Sequence, residues 1–129
     1  MALTKIRYYE GIVPESPGTL NIGNSTNFVA TVTAQDFNSV SDLKLKTNIQ
    51  NIDAPLDKIE SLNGVLFKWE SSGEVSGGVI AQEVLEVLPE LVGNTEDGTL
   101  SVNYNGIIGL LIESIKELKS EIDSIKSYK

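Results

Sequence analysis

Apolar residues recur at alternating intervals of three and four near the end of the chain: Ile108, Leu111, Ile115, Leu118, Ile122 and Ile125. That spacing predicts one long helix with a continuous a/d seam across nearly three heptads, with isoleucine at a and Leu, Leu, Ile at d. Lys119 and Glu121 fall at flanking e and g positions. A globular helix usually carries a wider apolar face, so a strict two-in-seven stripe points to a coiled-coil seam. Isoleucine at a with a mixed d set leaves two strands against three open.

Shorter elements precede it. Asp53-Ala54-Pro55 has a polar residue near the cap and proline in the first turn. It predicts a helix with Leu56, Ile59 and Leu62 on its apolar stripe and an αL stop at Asn63-Gly64. Val65-Leu66-Phe67-Lys68-Trp69 reads as a strand with Val65, Phe67 and Trp69 on one face, Trp69 being the largest core residue. Glu70 to Gly77 reads as a flexible hairpin or loop. A second helix is expected over Val79–Leu88, ended by Pro89, burying Ile80, Val84, Val87 and Leu88. Its Gln82-Glu83 pair is polar surface or a positioning element, with a structural role for Glu83 favoured over a catalytic one. Asp97-Gly98 predicts a turn joining Leu91-Val92 to Leu100–Tyr104 as a small hairpin.

The first forty residues differ in character. Lys5–Tyr9, Thr19–Gly23 and Phe28–Ala34 have the alternation and β-branching of short strands, interrupted by the Pro14–Gly18 turn cluster. Forty such residues are too few to close a core of their own. The pattern therefore divides the chain into a β-rich segment, 1–40, and a mixed helix and strand domain, 41–129. The fold class expected is α+β.

Composition changes this picture mainly by exclusion. Among 129 residues hydrophobics make up 40% and aromatics only 6%, so the core is aliphatic. A net charge of −8 without a basic cluster argues against a nucleic-acid partner. With neither cysteine nor histidine, there are no disulfides, and no zinc site is expected. No run reaches membrane-spanning length, and Met1-Ala2-Leu3-Thr4 is not followed by a signal-peptide core. We expect no metal, no cofactor and no membrane partner.

Ser41 and Lys46, at the junction of the two segments, are the one candidate for chemistry. A hydroxyl nucleophile needs a neighbour to take its proton, and a lysine can do so when desolvation lowers its pKa. Ser-Lys pairs are an established variant of this logic. Taken alone, a serine five residues before a lysine is more often a cap beside solvated charges.

The surrounding residues make the pair more specific. Ser41-Asp42-x-Lys44-Leu45-Lys46-x-Asn48-Ile49 is followed in order by Phe67-x-Trp69, Gly78-Val79-Ile80-Ala81-Gln82-Glu83-Val84, Pro89-Glu90-Leu91-Val92, Val102-x-Tyr104 and the closing Leu/Ile-rich helix. This series resembles the C-terminal intramolecular chaperone and auto-processing domain of phage tailspikes, tail fibres and endosialidases, a domain type also found in the myelin regulatory factor family. The resemblance runs from Ser41 to about Ile125.

The resemblance implies a homotrimer. Residues 1–40 would then be a stalk segment whose strands pair across three chains, and the final helix a trimeric coiled coil. It implies single-turnover self-cleavage, with Ser41 as nucleophile and Lys46 as its partner. Lys44 occupies a position where the family has Arg or Lys, and is not expected to act as base. Asp42 would orient the turn through an Asx-type bond, with Asn48 capping or holding the loop in the same way. The bond preferred for cleavage is Val40–Ser41, because Ser41 Oγ reaches the Val40 carbonyl through a five-membered ring and its own carbonyl only through a strained four-membered one. Attack from another chain would escape that limit. The partner served would be the upstream fibre or spike segment of the same chain, in a phage virion, with the chaperone acting in the host cytoplasm during assembly. Family members usually carry a long receptor-binding or enzymatic part upstream, whereas forty residues precede Ser41 here. The chain is therefore expected to be a piece of a larger fibre or a small virion protein that kept the domain. The alternative to cleavage is a permanent trimeric fibre or spike component.

Overall fold

The structure, a computed structural model, describes residues 29–95 and 97–128 together with Ser16, Ile22 and Gly23. The strands expected at Lys5–Tyr9 and Thr19–Gly23 and the turn cluster at Pro14–Gly18 lie outside it, apart from Ser16, Ile22 and Gly23. The chain divides into two units, Met1–Asp36 and Phe37–Lys129. In the first, Val29 to Asp36 is exposed and irregular, so the stretch expected to be a strand at Phe28–Ala34 forms none within a single chain from Val29 on.

The second unit is α+β. Helix α1 (Pro55–Glu60) is followed by strands β1 (Val65–Lys68) and β2 (Val75–Gly78), helix α2 (Ala81–Val87), strands β3 (Val92–Asn94) and β4 (Leu100–Val102), and helix α3 (Tyr104–Ser127). Two antiparallel pairs form, β1 with β2 in the register Val65 opposite Gly78, and β3 with β4 in the register Val92 opposite Val102. Asp97-Gly98 turns the second hairpin. Asp97 Oδ1 accepts the N–H of Thr99 at 3.0 Å and the hydroxyl of Thr95, and these bonds hold the Asp97 carboxyl below its ordinary value.

The core joins Val84 of α2 and Leu88 at its end to Ile107 and Leu110 in the first turns of α3. Val84 and Leu110 are fully buried, Leu88 and Ile107 nearly so, and Ile52, Ile59, Leu62 and Leu91 pack around them. Ile107, Leu110 and Ser114 follow one another at helical spacing and define the face that α3 turns toward its own domain. Glu117 continues that face: its Oε2 accepts the N–H of Leu56 at 3.1 Å, satisfying an orphan donor in the first turn of α1. One turn earlier, Ser114 Oγ lies 3.0 Å from the Pro55 carbonyl and 2.8 Å from that of Leu110.

Several local expectations need correction. Trp69 is not core; it is 54% exposed and stacks edge-on against Phe67 with ring centroids 5.0 Å apart. A two-stranded hairpin has too little beneath it to bury every residue of one face. Gly77 and Gly78 belong to β2, so the expected loop is shorter, and α2 starts at Ala81 with Ile80 exposed at its cap. Neither Asn63 nor Gly64 takes a positive φ. Helix α1 ends instead at Ser61, whose N–H bonds Lys58 and Ile59 carbonyls. Asp53 pairs with Lys58 at 2.8 Å and makes no cap bond, and the cap position is Ala54, with φ 41°.

Candidate active site and assembly face

The residues between Asp42 and Lys46 make a single 3-10 turn, Leu43–Leu45. Asp42 caps it: its Oδ1 accepts the N–H of Lys44 at 2.9 Å, an Asx-type bond, while its carbonyl accepts the N–H of Leu45 at 3.1 Å. The N–H of Lys46 closes the turn on the Leu43 carbonyl, also at 3.1 Å. A turn of three residues brings its flanking positions to one side. Lys46 Nζ accordingly donates to Ser41 Oγ at 2.6 Å. Lys44 makes no such contact with Ser41 among the described residues. Just beyond, Asn48 holds φ at 51°, a left-handed conformation that asparagine tolerates better than most side chains.

Ser41 and Lys46 are both exposed, and the apolar residues around them are bare. Val40 is 82% exposed and Leu43 and Leu45 nearly as much. Reversing the proton's direction along the 2.6 Å contact requires a neutral lysine, which desolvation favours.

The second feature is the outer face of α3. Ile108, Leu111, Ile115, Leu118, Ile122 and Ile125 are between 42% and 66% exposed, on a stripe flanking the one formed by Ile107, Leu110 and Ser114. Helix α3 thus has two apolar faces, one already packed and one uncovered. The intrachain pair Lys119–Asp123 lies on its solvent side, and Lys116 pairs with the partly covered Glu113.

The remaining motif residues hold the frame. Glu83 grips Asn63 at two points, Oε2 accepting its backbone N–H and Oε1 its side-chain N–H, each at 2.9 Å. Those bonds hold the Glu83 carboxyl below its ordinary value, and its role is structural. Tyr104 Oη accepts the N–H of Val79 at 3.2 Å. A Cβ on Gly78 would stand 2.3 Å from that oxygen, so only glycine admits the ring there. The segments Gly78-Val79 and Val102-x-Tyr104 are therefore parts of one contact. Sequence reasoning missed Ser114 and Glu117; Ser114 lies four residues after Leu110 and Glu117 three after Ser114, a signal hidden by the stronger stripe beside it.

Residues 41–93 match the model of a family classed as a peptidase and described as the chaperone of endosialidase. Over Ser41 to Gly93 the chain matches that family, and the match together with the tail-fibre relatives supports a C-terminal chaperone domain of phage fibres. Among individual proteins it is similar to the long tail fiber protein Gp37 of Enterobacteria phage K3, 40% identical over 96 residues that make up 67% of this chain and 8% of that protein. The Gp37 of Enterobacteria phage T2 is also 40% identical over 96 residues, 67% of this chain and 7% of the relative. For the Gp37 of Salmonella phage S16 the figures are 36% over 103 residues, 71% of this chain and 14% of the relative. The chain thus spans only a small fraction of the length of these relatives.

Proposed function

We propose that this domain trimerises an upstream fibre segment, assists its folding, and then releases itself by cutting its own chain at Val40–Ser41. The observation that carries the reading is the 2.6 Å contact of Lys46 Nζ with Ser41 Oγ, at the start of the segment that matches the chaperone family. In the reaction, neutral Lys46 takes the Ser41 hydroxyl proton as Oγ attacks the Val40 carbonyl carbon. The Val40–Ser41 C–N bond breaks, and the Ser41 nitrogen takes up a proton and becomes a free amine. Water then hydrolyses the Val40 ester, leaving a carboxyl on Val40 and restoring the Ser41 hydroxyl.

Assembly supplies what the single chain lacks. An exposed pair lacks the desolvation that would favour a neutral lysine. Three copies meeting along Ile108–Ile125 would cover the apolar surface around the turn and strip water from Lys46. Cleavage would then report a completed trimer. By the likeness to tail-fibre proteins, the setting is a phage virion, with the domain acting during assembly in the host cytoplasm.

A permanent trimeric fibre component is the second reading, favoured by the exposure of Ser41 and Lys46 and by relatives that are fibre proteins. Denaturing gels of Ser41→Ala, Lys46→Ala and Lys44→Ala separate the two. Self-cleavage requires the first two to stay intact and the third to cut at near-normal efficiency. Cutting by the Ser41→Ala chain would eliminate the mechanism.

A further inference from the structure

The turn that carries Ser41 and Lys46 is tied to the rest of the domain on both sides through one face of α3. On its upstream side, Asn105 Nδ2 donates to Ser39 Oγ at 2.9 Å, across 66 positions of sequence. On its downstream side, Gln50, Asn51 and Ile52 line a shallow cleft with Gly109 and Glu113, where Ile52 Cδ1 lies 3.6 Å from the position a Gly109 Cβ would take. Asn105 and Gly109 are four residues apart, so they stand one above the other on α3. The hydrogen bonds of the turn itself, among the described residues, run between Ser41 and Lys46. They fix Ser41 against Lys46 and leave the strand entering the turn to be fixed by something else.

That strand is the substrate of the proposed reaction. Ser39 and Val40 have irregular backbone, and Val40 is 82% exposed. Attack through a five-membered ring needs the Val40 carbonyl carbon held close to Ser41 Oγ, and freedom in the entering strand dilutes that geometry. Asn105 is well placed to remove the freedom. It sits in the first turn of a 24-residue helix, and its own N–H is held by the cap residue Asn103 at 3.2 Å. We infer that Asn105 is the substrate-positioning residue of the self-cleavage reaction, recognising a hydroxyl side chain two residues before the nucleophile. The inference rests on the self-cleaving reading above. It also gives α3 a direct link to the scissile bond, so the helix that would carry the assembly seam also holds the strand to be cut.

Rates of self-cleavage in four full-length chains test this: parent, Asn105→Ala, Ser39→Ala and the double substitution. A single neutral hydrogen bond gives an effect of about twofold to tenfold. We expect Asn105→Ala to slow cleavage by that factor, Ser39→Ala to match it, and the double substitution to be no slower than either. Asn105→Asp, whose carboxylate accepts from the Ser39 hydroxyl, should recover most of the rate. Parental cleavage by Asn105→Ala, or losses that multiply in the double substitution, would overturn the assignment. Amide hydrogen exchange in a Ser41→Ala background gives a readout that needs no cleavage. There Asn105→Ala should speed exchange from Ser39 through Lys46, and Asn105→Asp should not. A parent that never cuts would sink the self-cleaving reading, and with it the catalytic role of Asn105. Unchanged exchange in Asn105→Ala would sink the anchor itself.

Discussion

Replacing Ile115 with aspartate should leave the isolated domain folded and abolish its assembly. Ile115 is 66% exposed in the single chain, and a substitution at such a site usually changes stability by no more than about 0.5 kcal/mol. In a trimer the same position becomes a central layer of the seam. The six seam side chains keep roughly half their surface in the single chain. At about 1.5–3 kcal/mol for complete burial of an aliphatic side chain, covering them contributes about 5–9 kcal/mol per chain before the entropy of association. A carboxylate at Ile115 forfeits about 1–2 kcal/mol of that and adds a desolvation penalty of several kcal/mol per ion. Three copies meeting at one layer raise the loss to roughly 10 kcal/mol or more per trimer, some seven decades of association constant. Sedimentation equilibrium and thermal melts of parent and Ile115→Asp measure the two halves of the claim separately. The substituted chain should sediment as a monomer, keep a cooperative melt and fail to cut at Val40–Ser41. A parent that is monomeric at micromolar concentration would refute the seam. A monomeric Ile115→Asp chain that cuts normally would refute the dependence of cleavage on assembly.

Three further outcomes concern the frame. Gly106→Ala would place a Cβ 2.1 Å from Leu91 Cδ2, so overpacking should outweigh the helix-propensity gain and destabilise the domain by about 1 kcal/mol in urea unfolding. In a Leu91→Ala background the same change should become neutral or stabilising, and failure of the sign to shift would exclude the clash as the cause. Ser114→Ala removes a buried donor to the Pro55 or Leu110 carbonyl and should cost about 0.5–1 kcal/mol; a gain in stability would contradict a structural role for that bond. The Glu83 carboxyl titrates below its ordinary value of 4.5 because Asn63 bonds its charged form. Its contribution is therefore complete above about pH 4.5 and lost as the pH falls through the lower folded value. Parent and Glu83→Gln melts should differ at pH 6 and converge toward pH 3; a constant difference would disprove the clamp.

Periodic signals were legible in the sequence because they report a face and need no partner. The long helix through Ile108 to Ile125 and the buried Val84 and Leu88 have this character, and the Asp97-Gly98 hairpin was legible as a local turn signal. The pairing of Ser41 with Lys46 was singled out only through the resemblance, since a lone Ser-x4-Lys has many solvated realisations, and the 3-10 turn between them was not read. What escaped depends on contacts between distant segments. Trp69 looked like core because strand alternation gives a residue's side and not the depth of cover above it. Asn63-Gly64 looked like a left-handed stop, but Glu83, twenty residues later, holds Asn63 in another conformation. Glu117 drew no reading from the sequence, because its partner is the distant Leu56 amide of α1. The link from Ser39 to Asn105 has no sequence signal, because both are small polar residues in positions that would suit loops and caps equally.

Intact mass spectrometry of the purified parent chain after assembly tests self-processing most directly, with Ser41→Ala alongside. We expect the parent to resolve into fragments 1–40 and 41–129, the first ending in a free carboxyl on Val40 and the second beginning with a free amine on Ser41. Their masses should sum to that of the 14.0 kDa chain plus one water, and Ser41→Ala should stay whole. A trimeric parent that remains a single 14.0 kDa species would contradict self-cleavage and leave a permanent fibre component in its place.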